Sequence, residues 1–233
     1  MRIVGLQKTT VIDYPGKVAC VVFLWGCNFR CGFCHNPELV VEEPREIYSE
    51  REILEFLAKR KKYLDGVCIT GGEPLLTLDK EFLRKIKTLG YEIKLDTNGS
   101  FPEKLEELIK DGLVDFVAMD IKASKEKYEQ VAGARVSLDK IEESIKLIGL
   151  MENYEFRTTV LEEIHDVEEM RKIANWLNEV VGEIPKKFCI QGFKNQGKFI
   201  DLIYKSKKDV GEDYLKILGN AVQDSFESVE IRV

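Results

Sequence analysis

Apolar and polar positions along this chain follow two different periods. Short apolar runs at 18–25, 66–70, 91–95, 114–119, 154–160 and 186–191 read as strands, the first of them buried, and 228–233 reads as a last strand. Between them lie stretches in which apolar residues recur every three or four positions. These predict helices over 49–63, 79–89, 102–110, 137–151, 167–180 and 213–226. In the first, Ser49 and Glu52 form a capping box, and Ile53, Phe56 and Leu57 supply one apolar stripe. Phe82, Leu83 and Ile86 line one face of the second, and Ile141, Ile145 and Ile148 align in the fourth. Pro102 opens the third in the first-turn position that tolerates proline.

Six strand-then-helix units in a row imply a parallel sheet with helices outside it. The 233 residues suit one domain. It divides into an N-terminal extension over 1–17, a barrel core over 18–200, and a C-terminal helix and strand over 201–233. A closed eightfold barrel typically needs about 250 residues. This chain is two units short, so the expected fold is α/β, an incomplete, TIM-like (β/α)6 barrel. A doubly wound open sheet is the second choice. Either architecture places its site at the C-terminal ends of the strands.

Composition narrows the class. Apolar residues make up 44% and charged residues 33%, which suits a globular protein and excludes collagen-like and disordered ones. Lys and Arg number 35 against 41 Asp and Glu, a net charge of −6, so no broad basic face for nucleic acid is expected. The basic runs Arg60-Lys61-Lys62 and Lys205-Ser206-Lys207-Lys208 read as solvated ends of helices or loops. The longest apolar run, 18–25, is too short to span a bilayer, and no membrane partner is expected. The opening residues lack a leader pattern, which makes the cytoplasm the expected location.

The six cysteines are unevenly spread. Cys27, Cys31 and Cys34 fall within eight residues, in the spacing Cys-x3-Cys-x2-Cys, while Cys20, Cys68 and Cys189 are isolated in or beside apolar strands. The isolated three read as buried structural thiols. The cluster reads as metal or redox chemistry. A structural zinc ion wants four closed ligands, and the only nearby fourth candidate is His35, adjacent to Cys34. Ordinary ferredoxins supply four thiolates per cluster. Three thiolates fit a [4Fe-4S] cluster with one open iron, and this reading is favoured over zinc or three unrelated thiols. Glycine-rich or polar residues also gather at the other strand ends: Gly71-Gly72-Glu73-Pro74, Asp96-Thr97-Asn98-Gly99, Asp120-Ile121-Lys122, Arg157 and Gln191-Gly192-Phe193.

The cysteine spacing, with Phe33 before the last cysteine, resembles the signature of the radical S-adenosylmethionine (radical SAM) superfamily, whose fold is a partial (β/α)6 barrel. The resemblance implies an enzyme in which Cys27, Cys31 and Cys34 hold the cluster, and the open iron binds S-adenosylmethionine. One electron then cleaves the sulfonium to a 5′-deoxyadenosyl radical. It further implies that Gly71, Gly72 and Glu73 meet the methionine ammonium and that the Phe33 backbone meets the adenine. Lys122 reaches the methionine carboxylate or ribose, and Arg157 lies near the same pocket. Asp96 and Thr97, with Asp120, match a monovalent-cation site found in one subgroup. At the sixth strand, where relatives often carry a histidine, this chain has Gln191-Gly192-Phe193.

The stretches Thr10-Val11-Ile12-Asp13-Tyr14-Pro15-Gly16-Lys17 and Cys34-His35-Asn36-Pro37-Glu38-Leu39 resemble the activating proteins of anaerobic ribonucleoside-triphosphate reductase. More loosely they resemble the pyruvate formate-lyase activases. This implies a protein substrate, in which a glycine becomes a glycyl radical, with Asp13 contacting its loop. A flavodoxin- or ferredoxin-type donor would supply the electron. A radical enzyme for a small molecule and a non-catalytic metal-binding module are the competing readings.

Overall fold

The computed structural model describes residues 1–44 and 47–233. It packs as two compact units. The first comprises Met1–Asn28, Asn36–Thr97 and Glu103–Val117, and the second Phe29–His35, Asn98–Pro102 and Ala118–Val233.

In the first unit, β1 (Ile3–Thr10) runs antiparallel to β2 (Ala19–Leu24), and β2, β3 (Gly66–Gly71) and β4 (Glu92–Thr97) run parallel. Their registers align Ala19, Gly66 and Glu92 at one end. Leu24 pairs with Gly71 at the other end, the C-terminal end of both strands. Cys20, Val22, Val67, Ile69, Ile93 and Leu95 are all fully buried, as expected of parallel strands covered on both faces. The cover comes from α2 (Glu50–Arg60), through Ile53 and Leu57, and α3 (Lys80–Thr88), through Phe82, Leu83 and Ile86. Short α1 (Glu38–Val41) precedes them and α4 (Pro102–Lys110) follows.

After β5 (Phe116–Asp120), the second unit contains α5 (Tyr128–Ala132), α6 (Leu138–Gly149), β6 (Tyr154–Val160), α7 (Val167–Val181), β7 (Lys187–Gly192), α8 (Glu212–Val222) and β8 (Ser228–Arg232). Strands β6, β7 and β8 are parallel neighbours in that order.

Every strand and helix expected from the periodicity is present, with ends shifted by a few residues. The extension over 1–17 carries an additional strand, β1. Its pattern gives no sign of this because Gln7, Lys8 and Thr9 face solvent on an edge. The short helices α1 and α5, and the 3-10 turns Pro74–Leu76 and Leu202–Ser206, are too brief to show a period.

Candidate functional site

The C-terminal ends of β2 and β3 approach until backbone meets backbone. The Gly72 amide donates to the Leu24 carbonyl at 2.9 Å and the Glu73 amide to the Gly26 carbonyl at 2.8 Å. A Cβ on Gly71 would lie 2.2 Å from the Leu24 oxygen, and Gly71 also has a φ of +125°. A Cβ on Gly72 would lie 2.0 Å from the Gly26 oxygen and 3.2 Å from the Cys27 Cβ. Both positions therefore require glycine. The bare edge they create lies directly against the first cysteine.

Glu73 is completely buried and caps the turn Pro74–Leu76. Its Oε1 accepts from the Leu75 amide at 3.0 Å and from the Thr97 hydroxyl at 2.9 Å. Two expected site residues, Glu73 and Thr97, are thus in direct contact. Asp96 is ion-paired with the ammonium of Lys94, two residues earlier on the same strand face.

Asp13 is not brought to this end. The turn that follows Thr10 lies where Thr10 pairs with Ala19, and the Tyr14 ring lies 2.8 Å from a Cβ built on Gly66. That is the N-terminal end of the parallel strands, ~17–20 Å along β2 from Leu24. There Asp13 accepts a hydrogen bond from the Thr10 hydroxyl and closes its own turn.

In the second unit, Cys31 and Cys34 share a turn, with the Cys34 amide donating to the Cys31 carbonyl at 3.0 Å. Cys31 is 8% exposed, and its Sγ lies 3.6 Å from the Ala132 carbonyl at the end of α5. Burial pushes its thiol pKa up, against the pull of nearby Lys122. Deprotonation by a bound metal would remove that penalty. Phe33 is buried edge-on to Tyr204. His35 stacks on Phe193 and meets Phe199 edge-on, and burial lowers its pKa.

Asp120, Lys122 and Arg157 form one cluster. The Lys122 Nζ lies 3.1 Å from Asp120 Oδ2, and the Arg157 Nε donates to Oδ1 at 3.0 Å. Burial alone would raise the Asp120 pKa, but Arg157 and Lys122 outweigh it and hold the carboxyl at about 2. Burial opposes the Lys122 charge too, yet Asp120 and Cys31 more than offset it and raise the Lys122 pKa. Lys122 and Arg157 thus converge on one carboxylate at the strand ends of this unit.

Three residues absent from the sequence expectations support these. Buried His165 accepts the Leu161 amide at Nδ1 (3.0 Å), which leaves Nε2 to donate to the Lys122 carbonyl at 2.9 Å. Buried Glu169 accepts the Ser124 amide at 2.7 Å. Together they pin the segment that bears Asp120 and Lys122. Lys94 is the third. For His165 the available signal was its place, in the loop between β6 and α7 of a chain with only two histidines. Cys20, Cys68 and Cys189 are fully buried, as expected of structural thiols.

The family pattern described as the Radical SAM superfamily matches residues 21–178. A Methanocaldococcus jannaschii chain assigned as a glycyl-radical enzyme activating enzyme is 33% identical over 240 residues, 98% of this chain and 94% of its own. The pyruvate formate-lyase-activating enzyme of Clostridium pasteurianum is 29% identical over 188 residues, 77% of either chain. Among solved structures, Streptococcus suis SuiB bound to precursor peptide SuiA matches with a TM-score of 0.68 at 16% identity, over 91% of this chain and 48% of that one. This chain thus spans about half the length of SuiB, and the likeness is one of fold. The fold is the α/β, partial TIM-like barrel that the strand–helix alternation predicts.

Proposed function

Because the chain belongs to the Radical SAM superfamily and, with its Methanocaldococcus jannaschii relative, to the glycyl-radical enzyme activating enzymes, we propose that it installs a glycyl radical on a partner protein at the expense of S-adenosylmethionine. The observation that carries the proposal is the meeting of the glycine edge with the start of the cysteine loop, where Gly72 abuts the Gly26 carbonyl, beside Cys27, too closely for any side chain. The donor set fits a [4Fe-4S] cluster held by Cys27, Cys31 and Cys34: three thiols in one short loop, with Cys31 shielded from solvent. When bound, the cluster supplies one electron and an open coordination position for S-adenosylmethionine.

The remaining roles belong to the chain's own side chains. Gly71 and Gly72 present a bare backbone edge along which an extended ligand can lie. Glu73, its carboxylate fixed by Leu75 and Thr97, takes the methionine ammonium. Lys122 and Arg157 take the carboxylate, and Asp120 between them keeps both heads oriented. The Phe33 backbone takes the adenine edge, and its ring, buried against Tyr204, keeps that backbone from moving.

The partner we assign is anaerobic ribonucleoside-triphosphate reductase, supported by the stretches 10–17 and 34–39. A pyruvate formate-lyase-type partner is the alternative, supported by the Clostridium pasteurianum relative. A flavodoxin- or ferredoxin-type donor and a cytoplasmic setting complete the proposal. Among the described residues, no helix is long and apolar enough to cross a membrane.

The test is anaerobic reconstitution, reduction with dithionite, and incubation with S-adenosylmethionine and each candidate partner. A glycyl doublet in the electron paramagnetic resonance spectrum of the reductase is expected. A doublet only on the pyruvate formate-lyase-type partner would reassign the substrate. Absence of a doublet on both would sink the activase reading.

A further inference from the structure

Lys94 is a lysine inside a sheet. It is 1% exposed, in a strand whose neighbours Ile93 and Leu95 are fully buried. Its register partner on β3 is Cys68, and its ammonium lies 3.9 Å from the Cys68 Sγ and 6.0 Å from the centre of the Phe116 ring. A buried ammonium is costly unless a counter-charge meets it. That counter-charge is Asp96, two residues on and facing the same way, with only 17% of its side chain exposed.

Asp96 is one of the residues expected to line a monovalent-cation site beside the sulfonium ligand. Here a cation of the protein itself already sits on it. The other expected carboxylate, Asp120, is likewise ion-paired within its own unit, to Lys122 and Arg157. A sodium or potassium ion at Asp96 would have to share the carboxylate with an ammonium that is 1% exposed, placing two positive charges side by side out of water. These residues do not fit an added metal ion.

We propose that the Lys94 ammonium is the resident cation of this site: it holds Asp96 where a bound alkali ion would otherwise hold it, and S-adenosylmethionine binds without added sodium or potassium. The inference rests on the S-adenosylmethionine reading above. It goes further in fixing which positive charge the site uses.

The experiment measures S-adenosylmethionine affinity by calorimetry on reconstituted protein, in tetramethylammonium buffer with and without about 100 mM potassium at matched ionic strength. Thermal unfolding is followed alongside. Wild type is expected to change its Kd by less than about twofold, and K94M to bind about tenfold more weakly without potassium and to recover with it. K94M without ligand should also gain more melting temperature from potassium than wild type does, a readout that needs no turnover. A wild-type Kd that tightens about tenfold in potassium overturns the proposal, as does a K94M protein whose affinity and melting ignore potassium. Should K94M fail to fold, K94M/D96N removes both charges of the buried pair and keeps the test alive. Its affinity should then be weak and unmoved by potassium, and recovery in potassium would overturn the proposal. If wild type binds no S-adenosylmethionine in any buffer, the functional reading has failed, an outcome distinct from potassium dependence.

Discussion

Asp120 illustrates how much one residue's neighbours decide. A lone carboxyl at this partly buried position would resist ionisation, yet Arg157 and Lys122 hold this one at about 2. A carboxyl whose folded pKa lies below its unfolded value, near ~4, stabilises the fold. That contribution is complete above the unfolded value and is lost as pH falls through the folded one. Urea unfolding of wild type should therefore weaken more steeply from pH ~4 to ~2 than that of D120N, with the two curves converging at the acid end. Parallel curves would show that the ion pairs contribute nothing to stability. At this scale the glycine pair was legible, because residue type alone carries its meaning, and the cysteine spacing pointed to the family. Lys94 and His165 were not. A lysine in an alternating strand reads as solvent-facing, and only burial by other strands turns it inward.

Among elements, α2 shows local sequence at its most informative: its capping box forms as read, with the Ser49 hydroxyl accepting from Glu52 and the Glu52 carboxylate accepting from the Ser49 amide. β8 shows the opposite. Its exposed, short pattern gives little reason for it to stay on the sheet. The structure supplies one: Arg232 forks onto the buried Glu155 of β6 at 2.9 and 2.8 Å, reaching across β7. Glu155 is fully buried, so removing its main partner strands a charge in the core. R232M should cost about 3 kcal/mol in urea unfolding, while E155L/R232M should cost clearly less, because no unpaired charge remains. Equal losses would mean that β8 is held by packing and backbone pairing alone.

For the molecule as a whole, cluster and fold should be separable. The cysteine loop is anchored by backbone and aromatic contacts, including the Arg30 amide to the Ala132 carbonyl and Phe33 to Tyr204. Replacing Cys27, Cys31 or Cys34 with alanine should leave far-UV circular dichroism unchanged while bound iron falls from about four per chain towards none. Full iron retention in any of the three would remove that cysteine from the ligand set. The sequence by itself determined the class and the chemistry. Period sets strands and helices, their alternation sets the α/β partial barrel, and the residue motifs carry the likeness to the Radical SAM superfamily. All of these are carried by neighbours along the chain. Tertiary structure alone decided which charges are enclosed and which groups meet. It put Lys94 on Asp96, Thr97 on Glu73, His165 under Lys122, and Asp13 at the far end of its strands. Those outcomes depend on which segments pack together, and burial changes the cost of a charge far more than residue identity does.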